Sequence, residues 1–494
     1  MVQPSSQSHS SAPQSPSTTP SVNPPAATTL RELRASGHEL RSVKEERRVN
    51  LLAAIRAGED AFPGIIGFGQ TVLPHLERAI IAGHDVILLG ERGQGKTRLI
   101  RTLVLLLDEW TPAVAGCEIN DHPFAPACAR CRRLAAEQGE DLAITWRHRS
   151  DRYGEKLATP DTSVGDLVGD IDPVKVAEGR TLGDPETIHY GLVPRTNRGI
   201  FCLNELPDLA ERIQVSLLNV LEERDIGVRG YALRLPLDLV LVASANPEDY
   251  TSRGRIITPL KDRFGAEIRT HYPVSLEAEL ALIRQEAQVA WRDGRGSVTD
   301  PAAVLPEHLI QVIARFTRLV RASPAVDSRS GVSARFAIAA AEAVAASAVR
   351  RGAISGEDRA VARVCDLPAI VGTLRGKVEF EVSEEGREQE VLDHLLRRAT
   401  AETFRGALGN ADLSGLLTRF AEGGVVETGD LLPAAELLRR IGEVPGLAKI
   451  MELLDMGGES PGQAAAALEF ALEGLYLMRR LSKDSLDGGA VYRT

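Results

Sequence analysis

The chain has 494 residues, a net charge of −10, 43% hydrophobic residues and only 4% aromatic ones. That length predicts two to four folding units, and an acidic balance with both signs spread along the chain argues against a broad nucleic-acid-binding surface. No apolar run approaches the ~18 residues a membrane span needs. The five cysteines, Cys117, Cys128, Cys131, Cys202 and Cys365, are odd in number and unevenly spaced. They fit a reducing, cytoplasmic setting better than a disulfide framework.

Residues 1–28 are dominated by Ser, Pro, Thr and Ala with no charged residue, which predicts a disordered tail. A transit peptide would carry Arg, and none precedes Arg31. Residues 29–61 form a charged N-terminal helical segment. From residue 62 to 274 a helix-like LPHLERAIIAG leads into the apolar run HDVILLG, and further strand candidates follow at 141–147, 199–205, 237–246 and 265–272. A packed helix, LAERIQVSLLNVLEER, lies among them. Strands alternating with helices predict an α/β fold with a parallel sheet flanked by helices. Residues 275–352 read as a small helical lid domain. Residues 353–494 continue as a mostly helical C-terminal region with no recognisable chemical pattern.

The segment Gly90-Glu91-Arg92-Gly93-Gln94-Gly95-Lys96-Thr97 fits the pattern G-x-x-x-x-G-K-[ST]. It stands between an apolar strand and an apolar helix, the setting a phosphate-binding loop requires. Glycines let the loop turn its N–H groups inward, Lys96 places a point charge on the β- and γ-phosphates, and Thr97 offers its hydroxyl to Mg²⁺. The rival reading is an ordinary Gly-rich turn.

GIFCLNEL carries Asn204 and Glu205 to the carboxyl end of a parallel strand, where ligands sit in open sheets. Glu205 is the candidate for orienting the attacking water. Asn204 keeps a carbonyl acceptor for metal-bound water but lacks negative charge, so weaker Mg²⁺ binding is expected. A core strand with a polar cap is the alternative. Cys202 reads as a small buried apolar residue. Asn246, ending VASAN, could hold water or the γ-phosphate, although Asn-Pro also starts turns. Arg263 suits an arginine finger acting on a neighbouring subunit, and Arg335, at a helix start, could fold over the nucleotide in cis. For either arginine a surface salt bridge is the commoner fate.

In this order GERGQGKT, GIFCLNEL, ASANPED and LKDRFG resemble an AAA+ ATPase, of the magnesium-chelatase I-subunit and MoxR-like type. The stretches IIGFGQTVLPHLERAI, ATPDTSVGDLVGDIDPVKVAEGR and YGLVPRTNRGIF support that clade, and RDIGVRGYALRLPLDL is similar to its β-hairpin ahead of sensor 1. The resemblance covers residues 62–352. It implies Walker A at Gly90, Gly95, Lys96 and Thr97, a Walker B glutamate at Glu205, sensor 1 at Asn246, the arginine finger at Arg263 and sensor 2 at Arg335. It also implies ATP and Mg²⁺ as cofactors and assembly into a ring, usually a hexamer. Such a ring remodels a partner, often one with a von Willebrand factor A domain, or serves a metal chelatase complex. Asn204 departs from the family's aspartate.

Two rivals to a hydrolysing ring remain open. One is a nucleotide-gated scaffold with little turnover. The other is a sigma-54-type transcription activator, against which stands the absence of a GAFTGA string. Finally, GCEINDHPFAPACARC places Cys117, Cys128 and Cys131, with His122 among them, in a candidate insertion at 115–135. A structural Zn²⁺ site is one reading; reduced thiols are the other.

Overall fold

The computed structural model describes residues 23–493 except 179–186, 224–234, 248–253, 290–301, 328–330, 358, 422, 458–459 and 487. Its contacts divide into two compact units, Met1–Glu91 with Gly95–Thr270, and Arg92–Gln94 with His271–Thr494.

The first unit is built on a five-stranded sheet. Its strands are β1 (Val86–Leu89), β2 (Tyr153–Leu157), β3 (Ile200–Asn204), β4 (Val240–Ala245) and β5 (Ala266–Arg269). They lie in the order β2-β3-β4-β1-β5, and every pairing is parallel. Strands buried on both faces should read as continuous apolar runs, and β1, β3 and β4 do. Ile87, Leu89, Phe201, Leu203, Leu241 and Ala243 join one core cluster, while Val86, Leu88, Ile200, Cys202, Val240 and Val242 join another. This is the expected parallel sheet with flanking helices.

One strand expectation needs correction. Residues 141–147 do not enter the parallel sheet. Ile144–His148 pairs antiparallel with Trp110–Val114 in a separate two-stranded ribbon. The fifth parallel strand is β2, with sequence YGEKL, whose residues are only half-buried except for an exposed Leu157. As the sheet's edge it needs no apolar run, so periodicity did not mark it. The chain ahead of the first helix is tied to the ribbon: Ile144 N donates to Thr28 O (2.9 Å) and Trp146 Nε1 to Ala27 O (2.8 Å). Of the stretch expected to form a hairpin before Asn246, residues 224–234 lie outside the described residues.

The helices of the second unit share one hydrophobic core. Glu307–Arg321, Ala334–Ser355, Glu388–Leu408 and Pro461–Leu477 are its long members. Pro461–Leu477 is buried without interruption from Ala465 to Leu475. At Gly474 an added Cβ would lie 1.9 Å from the Phe404 ring, so only glycine allows that approach. A three-stranded antiparallel sheet of Val426–Gly429, Gly489–Arg493 and Ser482–Leu486 completes the unit. No described helix is long and apolar enough to cross a membrane.

Candidate active site

Three polar side chains meet at the carboxyl ends of β1, β3 and β4. Lys96 opens the helix Lys96–Thr102 that follows the glycine-rich loop, and it is 7% exposed. Its ammonium has three donors. Their acceptors are Gly90 O, Glu91 O (2.9 Å) and Asn246 Oδ1 (2.7 Å). Asn246, just past β4, in turn donates from Nδ2 to Glu205 Oε2 (2.7 Å). Lys96 can only donate and a carboxylate can only accept, so the orientation of the Asn246 amide is fixed by chemistry at both ends. Lys96, after the glycine-rich loop, and the strand-end carboxylate of Glu205 are thereby joined through one amide.

Backbone geometry serves the same point. Gly93 and Gly95 have φ of +72° and +80°, a region that side chains disfavour. Glu205 also adopts a left-handed φ, +54°, a conformation costing on the order of 1–3 kcal/mol for a residue with a side chain. The turn is held by Asp208 N donating to Glu205 O (3.0 Å). Within the second unit, Tyr272 Oη donates to Arg92 O (2.9 Å) and Ala334 N to Gly93 O (3.4 Å). A Cβ at Gly93 would fall 2.1 Å from that of Ser333. The helix bearing Arg335 thus starts against Gly93, and the Arg335 side chain is exposed. Gln94 is buried, while Glu91 and Thr97 are half-buried.

Asn204 sits inside a second network. Its Oδ1 accepts from Ser244 Oγ (2.9 Å) and Cys202 Sγ (3.4 Å), and its Nδ2 donates to Glu155 Oε1 (2.7 Å). Because Glu155 can only accept, the nitrogen of Asn204 must face it. Burial pushes the Cys202 thiol up to about 12, so it remains a neutral donor. Glu155 Oε2 accepts from Arg101 Nε (3.1 Å), Arg101 Nη2 (3.0 Å) and Tyr153 Oη (3.0 Å). Sequence reasoning missed Glu155, because it lies on the unrecognised edge strand. The alternation of Tyr153, Glu155 and Leu157 was its only signal, and five residues are too few to weigh.

Arg263 ends the helix Thr258–Arg263, where its Nε donates to Glu222 Oε2 (2.7 Å) and its Nη1 to Pro259 O (2.8 Å). It stands in a partly exposed ion pair. Cys117, Cys128 and Cys131 converge, but His122 is not of their group. His122 Nδ1 accepts from Phe124 N (3.1 Å), and its Nε2 is 3.2 Å from Nε2 of His38.

A family model described as the sigma-54 interaction domain matches residues 181–261. The magnesium-chelatase 38 kDa subunit of Cereibacter sphaeroides is 29% identical over 272 residues, covering 50% of this chain and 73% of that protein. The same subunit from Acidiphilium rubrum is 31% identical over 214 residues, covering 40% and 55%. The magnesium-chelatase subunit ChlI of Synechocystis sp. is 31% identical over 233 residues, 46% and 61%. For the latter two the chain spans a little over half of the relative's length. A model of the BchI–BchD complex of magnesium chelatase, based on a single-particle reconstruction, shares 21% identity over 67% of this chain and 98% of that one, with a TM-score of 0.34.

Proposed function

We propose that this chain, an AAA+ ATPase of the magnesium-chelatase I-subunit type, binds and hydrolyses ATP as an oligomeric ring and uses the cycle to remodel a partner protein. The observation that carries this reading is the continuous link Lys96–Asn246–Glu205 across the strand ends. The residues fit a nucleotide triphosphate with Mg²⁺. Two left-handed glycines form the cradle, and phosphate oxygens outmatch the carbonyl oxygens of Gly90 and Glu91 as partners of the Lys96 ammonium.

When bound, Mg²⁺ offsets negative charge on the phosphates, with Thr97 and Asn204 as the residues to hold it. Lys96 then turns from Gly90, Glu91 and Asn246 toward phosphate. That frees Oδ1 of Asn246, the sensor 1 position, while its Nδ2 still holds the Glu205 carboxylate in place. Glu205 orients the attacking water and accepts its proton. Asn204 leaves its strand one negative charge short, and Glu155, 2.7 Å from its amide, supplies a carboxylate from the neighbouring strand. Glu155 therefore acts as a positioning residue for the metal's water shell. Arg263, released from Glu222, is the candidate finger for a neighbouring subunit, and Arg335 the sensor 2 residue.

The proposed partner is the one the sequence resemblance implies: a protein with a von Willebrand factor A domain, or a larger chelatase subunit. A sigma-54-type activator is the second reading, favoured by the matched segment 181–261. Co-purification with RNA polymerase or promoter DNA would select it over the chaperone-like ring. The primary reading is tested by phosphate release and nucleotide binding. Lys96→Ala abolishes binding, whereas Glu205→Gln binds ATP without turning it over. Undiminished hydrolysis in the Glu205 variant refutes the assignment.

A further inference from the structure

Between Trp110–Val114 and Ile144–His148 the chain gathers three sulfurs and a carboxylate. The Sγ atoms of Cys117, Cys128 and Cys131 and an oxygen of Asp121 all lie within 4.8 Å of one another. Cys128, Cys131 and Asp121 are buried, and Cys117 is half-buried. We infer that these four side chains form a closed tetrahedral Zn²⁺ site, with Asp121 rather than His122 as the fourth ligand.

Three independent features support the assignment. Asp121 is 1% exposed, and its Oδ2 accepts from Ala127 N (3.0 Å) and Cys128 N (2.8 Å). Its Oδ1 is buried with no hydrogen-bond partner. A carboxylate oxygen left bare inside a protein is costly; a cation beside it removes the cost. Next, backbone amides point at the sulfurs: Cys131 N donates to Cys128 Sγ (3.3 Å) and Asp121 N to Cys117 Sγ (3.3 Å). Such N–H···S bonds favour a thiolate over a thiol, and metal binding requires the thiolate. Finally, both ring nitrogens of His122 are engaged elsewhere, by Phe124 N and by His38.

Ligand type narrows the ion. Three soft thiolates and one carboxylate in a compact cluster suit zinc, and four protein ligands leave no open position, which marks a structural site. The site would staple a loop that braces the approach to β3. Asn120, at φ +56°, donates from Nδ2 to Arg195 O (2.7 Å), and Asn197 Nδ2 donates to Ile119 O (3.0 Å). Residues 195–197 lead into β3, which ends at Asn204 with Glu205 just past it.

The test uses the full chain purified without a metal-binding tag. Elemental analysis should find one zinc per chain, released in step with mercurial titration of the thiols. Replacement by Co²⁺ should give thiolate charge-transfer bands and the visible spectrum of a tetrahedral site. Asp121→Asn should weaken zinc, measured against a competing chelator, by about 100-fold or more, beyond what loss of an outer partner costs. His122→Ala should leave the affinity within a few-fold of wild type. Cys131→Ser should lose the metal; if that variant does not fold, the Asp121→Asn affinity and the cobalt spectrum decide. A folded wild-type chain without zinc that takes up no Co²⁺ overturns the site. So does an Asp121→Asn variant that holds zinc as tightly as wild type.

Discussion

In the first unit the buried ammonium of Lys96 meets two carbonyls and the amide of Asn246 at the open ends of parallel strands. In the second unit the buried guanidinium of Arg351 meets Asp366 (3.1 Å), Glu357 (3.0 Å) and Val361 O (2.6 Å) deep among helices. Arg363, fully buried, lies 3.2 Å from Glu469 and donates to the carbonyls of Gly429 and Leu432. The difference is one of exchangeability. Neutral acceptors release a cation to an incoming polyanion at small cost, whereas a buried carboxylate partner does not. The first arrangement is suited to a cycle and the second to holding helices in one register.

The sharpest way to break this contrast is at the two carboxylates that define its halves. Glu205→Gln should lower ATP turnover by roughly 10²–10⁴-fold, the range for losing a positioned base, with nucleotide binding retained in an equilibrium titration. Asp366→Ala should leave the Arg351 guanidinium short of a partner. The expected loss is about 3–5 kcal/mol of stability, read by denaturant unfolding of the second unit's helices. A loss under about 1 kcal/mol would show that the two networks do not differ as argued.

Acid offers a smaller perturbation confined to the second unit. His308 is fully buried, packs on Phe470 at 4.5 Å between ring centroids, and has no hydrogen-bond partner at either ring nitrogen. Burial pulls it from 6.5 down to about 3. The folded state therefore holds it neutral while the unfolded chain protonates. Its contribution is intact above pH 6.5 and is lost as pH falls from there toward 3, by about 2 kcal/mol at pH 5. Chemical denaturation at pH 7 and pH 5 measures this, and His308→Leu should flatten the difference.

The smallest expected effect concerns the edge strand. Glu155→Gln should raise the Mg²⁺ concentration for half-maximal hydrolysis about tenfold, near 1.4 kcal/mol. Asn204→Asp alone sets two carboxylates against each other across the 2.7 Å contact and should not improve metal use in the wild-type background. The paired change Glu155→Gln with Asn204→Asp moves the charge across the strands and should restore the Mg²⁺ dependence. If the pair is no better than Glu155→Gln, Glu155 has no part in the metal's surroundings.

Much of the site was legible because its signals are local. GERGQGKT between a strand and a helix, and the polar endings of GIFCLNE and VASAN, each suggest a role within a few residues. The long amphipathic helices of the second unit were legible for the same reason: Glu307–Arg321 buries one face at helical spacing. The edge strand Tyr153–Leu157 was not, since half-buried residues at a sheet margin carry no strong period. Nor was the exclusion of His122 from the cysteine cluster. A histidine beside cysteines in sequence looks like a ligand, and only the packing of His38 and Phe124 around its ring decides otherwise.

Chemical identity along the chain was thus enough to point to a candidate phosphate-binding loop, a strand-end glutamate, an anomalous Asn204 and an α/β core followed by helices. Which groups face one another came from the fold alone. The fold of the loop between the ribbon strands brings Asp121 to three sulfurs, and parallel pairing brings Glu155 to Asn204 and Asn246 to both Lys96 and Glu205. Those partners lie up to 150 positions apart, beyond the reach of any local pattern, and only the burial of a shared core brings them within hydrogen-bonding distance.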